Sequence, residues 1–492
     1  LANMRHFALE QASRGVRVEY RFADSTYAEA LSDVVAELGP LMVMTPAERE
    51  LRADIQALVV AGQLLLQDHE GWLTTEEDFL AGAGAEPVWR MDAFYRHIRR
   101  STGILMDERG KPVGGRFSFD GENRKPWPGT PAAPEFPSFT PDAITVEVIE
   151  LVESTFQHHP GSIRPEQLPT TKEDAERLWQ WALDECLPLF GPYEDAMSTK
   201  SRGLFHTRIS PLMNMHRLLP KRILGDVLNA DIPLPSLEGF VRQILGWREY
   251  VRHIHTLTDG FRDLPGQDVT TTPEPGDAGF ALWNKANFPT SRAAHVDGGA
   301  TPNRQGQNNP VPPAFWGAAS GLKCLDDVIE SVWDEGYSHH ITRLMVLANM
   351  GMLFDISPRA LTDWFWVAYI DAYDWVVEPN VLGMGMYATD CMTTKPYIAG
   401  SGYIRKMSDY CKGCEFHPKK SCPLTPMYWA WLDRHAESVS HLQRMRIPLA
   451  SLRKRSPEKR ESDLKIFESV THTLLKGERL SHEQIAPLLP GA

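Results

Sequence analysis

Apolar and polar residues alternate singly in Val16-Arg-Val-Glu-Tyr-Arg-Phe. That is the pattern of a strand with one buried face. A helical period takes over at Tyr27–Leu38 and gives way to a short apolar strand at Leu41-Met-Val-Met-Thr. It returns over Pro46–Val60, where Thr45 and Pro46 read as N-cap and first helical residue. Gln63-Leu-Leu-Leu-Gln is a further strand. Strands alternating with helices predict a parallel sheet covered by helices. The chain is helical from its first residues, Leu-Ala-Asn-Met-Arg-His-Phe, with no strand before them. The expectation is therefore a Rossmann-like α/β domain that lacks its own start. Phe94–Thr102 reads as a helix, Lys111–Pro128 as a Gly/Arg/Asn-rich loop and Pro126–Pro141 as extended chain. From about residue 170 the pattern is almost entirely helical. The exception is 259–313, rich in Gly, Pro, Thr and Asn and without period, which reads as a long surface insertion. The expected organisation is an α/β domain over 1–88, a linker over 89–170, a large all-α domain over 171–450 interrupted by 259–313, and a helical tail over 451–492.

A chain of 492 residues is long enough for two or three domains. With 42% hydrophobic and 23% charged residues it has the composition of an ordinary globular protein. No apolar stretch is long enough to span a bilayer as a helix. A net charge of −13 excludes a protein coated in nucleic-acid-binding charge, but it allows a local basic face. Arg96, Arg99 and Arg100 could form one, as could Arg217, Lys221 and Arg222, or Arg453-Lys454-Arg455. The fourteen Trp lie mostly in apolar helical surroundings and read first as core.

Cysteine usage changes this picture. Of six Cys, three stand in Cys411-Lys-Gly-Cys414 and the following Ser421-Cys422-Pro423, and Cys324 lies far upstream. Two Cys two residues apart with a third nearby supply thiolates for a soft metal centre, and spacing alone allows zinc or a [4Fe–4S] cluster. No secretory signal is recognisable, which weighs against disulfides. Other segments also carry chemistry. Phe205-His-Thr-Arg-Ile-Ser-Pro places small hydroxyls just before a helix, where free N–H groups can hold a pyrophosphate. A helix over 239–250 sets Gln243, Trp247 and Arg248 within about one turn. Tyr337-Ser-His339-His340-Ile-Thr-Arg343 opens an apolar helix, with Arg343 on the face of His340. Asp371-Ala-Tyr-Asp374-Trp-Val-Val-Glu378 sets acidic residues among apolar ones, where a buried carboxylate needs a partner.

Taken in order, these segments resemble the photolyase/cryptochrome superfamily, and in particular its bacterial branch with an iron–sulfur cluster, which includes the prokaryotic (6-4) photolyases. Arg208-Ile-Ser-Pro-Leu is similar to the phosphate-cradling Ser-Arg-Leu-Ser-Pro of that family. Trp247-Arg-Glu-Tyr is similar to its Trp-Arg-Glu-Phe, and His339-His-Ile-Thr-Arg to its His-His-Leu-Ala-Arg. Asp374-Trp-Val-Val-Glu resembles the turn near flavin N5, and Gly114-Gly-Arg-Phe-Ser-Phe-Asp-Gly-Glu-Asn-Arg a linker signature of the branch. The resemblance implies an all-α FAD-binding domain in which His206, Thr207, Ile209 and Ser210 hold the FAD phosphates. Gln243 and Arg248 would line the cavity, with Arg343 near the flavin, Asp374 toward its polar edge and Glu378 at the N5 turn, where many relatives have Asn. Cys324, Cys411, Cys414 and Cys422 would ligate a [4Fe–4S] cluster. Trp316 and Trp364 match an electron-transfer chain; Phe365 and Leu382 depart from aromatic positions of the family.

The implied activity is light-driven repair of UV-damaged DNA, with cryptochrome-like photoreception as the alternative. Repair of a (6-4) lesion needs a proton donor. His340 matches that residue, His339 stands beside it, and Tyr397 would line the lesion pocket; Leu344 occupies the place of a second His. Relatives carry a lumazine antenna, much of whose pocket would precede residue 1. The expected protein is a monomer of the bacterial cytoplasm that meets no membrane.

Overall fold

The computed structural model describes residues 1–23, 25–157, 159–273 and 297–489. Helix α1 (Ala2–Ser13) is followed by α2 (Tyr27–Leu38), β1 (Leu41–Met44), α3 (Arg49–Val60) and β2 (Leu64–Gln67). β1 and β2 pair in parallel with Leu41 opposite Leu64 and Met44 opposite Gln67. Val35, Ile55, Leu58 and Leu64 form the small core between sheet and helices. Helix α2 starts where a capping box fixes it, with Thr26 accepting from the Glu29 amide and Glu29 reaching back.

Two expectations for this unit need correction. Val16–Phe22 forms no strand, and Val16, Val18, Tyr20 and Phe22 are exposed. Alternation fits a residue set for a sheet, but a ladder also needs a partner edge, and among the described residues the sheet has only β1 and β2. Helix α3 begins at Arg49 with Glu48 as N-cap, not at Pro46. The Arg52 guanidinium donates to the carbonyls of Pro46 (3.0 Å) and Ala47 (2.5 Å), holding that stretch outside the helix.

After α4 (Glu76–Ala83) and α5 (Met91–Thr102), extended chain leads into a helical body. Two apolar cores hold it together. One gathers Phe79, Phe94, Trp179, Phe240 and Tyr250 with Trp375 and Leu382. The other gathers Trp316, Leu325, Val346, Trp364 and Trp431 with Ile466 and Val470 of the C-terminal Pro457–Leu475 helix. Several helices contain wide π turns, at Arg242–Arg248, Arg343–Ala348 and Pro379–Gly385. Such turns spread successive side chains and recur at functional sites. Here they carry Gln243, Arg248 and Arg343 and directly follow Glu378.

The expected surface insertion at 259–313 is corrected at both of its described ends. Phe261, Leu264, Ala300 and Val311 are buried. Ion pairs tie the same stretch down, Arg49 to Asp259 (2.9 Å) and Arg262 to Asp297. Gly, Pro and Asn there report irregular backbone, not exposure. Residues 274–296 lie outside the described residues.

Candidate active site and thiolate centre

Asp371 organises the site. Its carboxylate accepts from both terminal nitrogens of Arg343 (3.0 Å each) and from Ser210 Oγ (2.6 Å), and its carbonyl accepts from Asn214 Nδ2 (2.9 Å). This joins the proposed phosphate turn to the helix of Arg343. Arg343 also donates to the Ser338 carbonyl (2.7 Å) and lies 4.1 Å from the Tyr369 ring centre. The turn itself passes through Arg208 at φ 54° and Ile209 at φ −86°, ψ −3°. Left- and right-handed residues in succession aim adjacent N–H groups to one side, an anion-binding geometry. Asp371 was not singled out in the sequence; the only signal was an acidic residue three places before Asp374.

Thr207 and Ile209 are buried within this turn. Gln243 donates to Glu194 (2.6 Å), a buried carboxylate that also accepts from Asn123 (2.8 Å). Arg248 donates to the Gly71 carbonyl (2.8 Å) and sits over the rings of Trp72 (4.2 Å) and Trp375 (5.2 Å). Glu378 is buried against His255 Nε2 (3.0 Å) and Arg359 (2.7 Å). Burial alone would raise its carboxyl, but these two partners outweigh it and hold it below the usual range. Asp374 faces away from Asp371 toward α3, its amide donating to Glu48 (3.2 Å). Burial, then the Asp374 charge, pushes the Glu48 carboxyl up to about 9 and that of Glu50 to about 7.

Three histidines come together near Arg343. His206 stacks on His339 with ring centres 4.3 Å apart and planes 11° from parallel, and His340 meets His206 edge-on at 5.3 Å. His206 and His339 are buried, whereas His340 is exposed. Burial, and next the neighbouring imidazoles, pushes both buried rings well below their ordinary value, so they are neutral at pH 7. Asp195 lies near His340 and accepts from the Tyr403 hydroxyl (3.1 Å). Tyr397 sits apart from this trio, with Lys395 5.2 Å from its ring centre and Arg124 and Arg444 nearby.

An aromatic path leaves the site on the other side. Tyr369, beneath Arg343, meets buried Trp364 at 6.1 Å; Trp364 meets Trp333 at 6.2 Å; Trp333 stacks on Trp316 at 5.3 Å. The carbonyl of Phe315 accepts from both Trp333 (2.9 Å) and Trp364 (3.0 Å), fixing their planes. Trp316 and Trp333 line a surface cavity of about 590 Å³. Sequence reading found Trp316 and Trp364 but not Trp333 or Tyr369, which packing alone brings between them.

Cys324, at the start of the Lys323–Glu335 helix, lines one small cavity with Cys411, Cys414 and Cys422. Leu322, Ile404, Phe416 and Leu424 supply its apolar wall. The seven residues between Cys414 and Cys422 fold into a tight turn in which the amides of Lys420, Ser421 and Cys422 all donate to the His417 carbonyl. That turn carries Cys422 back to the others. None of the six cysteines is in a disulfide. Burial and then the neighbouring sulfurs raise Cys324 well above the ordinary thiol value and Cys422 to about 12. Thiolates in such a box need the positive charge of a metal. A single zinc draws its sulfurs to about 3.8 Å of one another. Four sulfurs around one cavity are the donor set of either a zinc site or an iron–sulfur cluster.

A small α/β unit ahead of a large helical body is the architecture that the resemblance implied. A family model described as deoxyribodipyrimidine photo-lyase-related protein matches residues 1–168. A (6-4) photolyase of Agrobacterium fabrum (strain C58 / ATCC 33970) is 32% identical over 476 residues, covering 93% of this chain and 86% of that protein. The chain belongs to the photolyase family. An uncharacterised protein, R855 of Acanthamoeba polyphaga mimivirus, is 41% identical over 69 residues, 14% of this chain and 56% of that protein. The crystal structure of a bacterial class III photolyase from Agrobacterium tumefaciens overlays with a TM-score of 0.49 at 14% identity, covering 96% of this chain and 88% of that one.

Proposed function

We propose that the protein is a light-driven DNA-repair lyase whose substrate is the UV-induced (6-4) pyrimidine photoproduct. One observation carries the reading. A chain related over most of its length to a (6-4) photolyase exposes His340 beside the buried neutral rings of His339 and His206. The photoreceptor alternative is not favoured, because that relative is a repair enzyme.

The residues fit an FAD. The Arg208–Ile209 turn aims amides outward, and Ser210 and Arg343 are locked on Asp371 at its edge. An FAD held here would supply light-driven one-electron transfer to the lesion and back. The chain does the rest. Asp371 holds Arg343 and Ser210 in fixed register, so the binding surface is preformed. His340, exposed to an incoming flipped base, gives and recovers the proton that moves between the two pyrimidines. Tyr397 packs against the lesion, while Lys395, Arg124 and Arg444 around it meet the phosphates. The path Tyr369–Trp364–Trp333–Trp316 carries electrons from the surface to the site. The four cysteines would hold a [4Fe–4S] cluster and through it staple the Lys323–Glu335 helix to the 411–422 loop.

The test is repair of two oligonucleotides under blue light, one with a (6-4) lesion and one with a cyclobutane dimer, by protein whose absorption shows flavin bands over a broad cluster background. Repair of the (6-4) substrate, lost at least a hundredfold in His340→Ala with flavin retained, is expected. Repair of the dimer alone overturns the lesion assignment, and repair of neither by flavin-loaded protein overturns the lyase reading.

A further inference from the structure

The histidine trio holds a second kind of chemistry. His206 Nε2 and His339 Nδ1 are buried without a hydrogen-bond partner, and each residue is more than nine-tenths buried. A buried donor or acceptor left unpaired is unfavourable and calls for a partner. The ring of His206 is fixed from behind, since its other side hydrogen-bonds to the Glu194 carbonyl. That hydrogen bond favours the tautomer that leaves Nε2 as an acceptor, as outer-shell partners do for metal-binding histidines. One nitrogen from each of His206, His339 and His340 lies within 4.8 Å of the other two. Bound to one ion the nitrogens stand about 3.3 Å apart, a closure made by rotating the His339 and His340 rings about their soft terminal torsions. Asp195 stands beside His340, ready to orient it or to balance charge.

We propose that His206, His339 and His340 form a three-imidazole site for a borderline divalent cation of the zinc and copper class. Neutral imidazole is the form such ions bind, and burial keeps two of the three rings neutral. The donors are all nitrogen, which selects zinc or copper over magnesium or calcium. The site is distinct from the thiolate centre and takes a different metal. It stands on ring geometry and goes beyond the repair reading. If that reading holds, an ion here occupies the lone pair of His340 and removes the proton donor, so zinc inhibits (6-4) repair.

The experiment is calorimetric titration of Zn²⁺ into tag-free, cluster-loaded protein at pH 7.5, with His206→Gln and His340→Ala as variants. Pulsed electron paramagnetic resonance on the Cu²⁺-loaded protein counts the coordinated imidazoles. One equivalent of tight binding, weakened at least tenfold in each variant, with two or more imidazoles on copper, is expected. Absence of binding, equal affinity in both variants, or a single imidazole on copper overturns the proposal. His340 is exposed, so His340→Ala tests the site even where His206→Gln fails to fold. None of these readouts depends on light or DNA, so the site stands or falls apart from the lyase assignment.

Discussion

Replacing Asp371 with Asn keeps the shape of the side chain and removes its charge. In the native protein that carboxylate is 4% exposed and accepts three hydrogen bonds, two from Arg343 and one from Ser210. The amide can still accept from Ser210, but its NH2 group faces a guanidinium that has only donors. Removing one partner of a buried ion pair costs about 3–5 kcal/mol. Arg343 keeps 23% side-chain exposure, so water recovers part of the loss and the lower end, about 3 kcal/mol, applies. For a chain of 492 residues that corresponds to a fall in melting temperature of roughly 3 °C. Arg343→Met and the double variant complete the cycle; the double should be less destabilised than the sum by about 2 kcal/mol. The assay is thermal unfolding at a fixed scan rate, followed by circular dichroism and by release of flavin fluorescence. Weaker flavin retention should accompany the shift, because Ser210 and Arg343 lose their common anchor. A shift below about 1 °C for Asp371→Asn, or single effects that simply add, would refute the claim that this pair preforms the site.

Cys411→Ser should lower the yield of folded protein several-fold while repair per flavin-loaded molecule stays within about twofold, since the cluster is read as a staple; soluble yield and turnover per bound flavin measure the two. Trp333→Phe should slow flavin photoreduction in the presence of an external thiol at least tenfold, because it interrupts the ring path between Trp364 and Trp316; an unchanged rate removes Trp333 from that path. The carboxyls of Glu48 and Glu50 are raised by burial and by Asp374. The folded protein therefore binds protons that the unfolded chain gives up, and stability falls as pH rises from the ordinary carboxylate range toward about 9. Glu48→Gln should flatten that decline, seen as a smaller drop in melting temperature between pH 5 and pH 9. Glu378 acts with the opposite sign: its carboxyl is held low by His255 and Arg359, so its contribution is present above the ordinary value and lost as acid protonates it. Glu378→Gln should remove that part of the acid sensitivity.

What the sequence determined is local. The period of Tyr27–Leu38 with Thr26 and Glu29 fixes a helix and its start, since a capping box is written within four residues. Leu41–Met44 and Leu64–Gln67 were legible as strands because each is a compact apolar run. The spacing of Cys411, Cys414 and Cys422 marked a candidate metal centre, and the turn at His417 explains how a short loop brings Cys422 back to the cavity it shares with Cys324. Tertiary structure decided what depends on partners distant in the chain. Val16–Phe22 has the alternation of a strand and no edge to pair with. Phe261 and Ala300 are buried out of a stretch that composition marks as exposed. Asp371 reaches Ser210 across 161 positions, Trp333 reaches Trp364 past the intervening helical stretch of residues 340–353, and His206 stacks on a His339 more than a hundred residues away. Caps, periods and metal-ligand spacings are recorded in neighbouring residues. A buried ion pair, a ring stack and a shifted pKa exist only once packing has excluded water and brought remote side chains together.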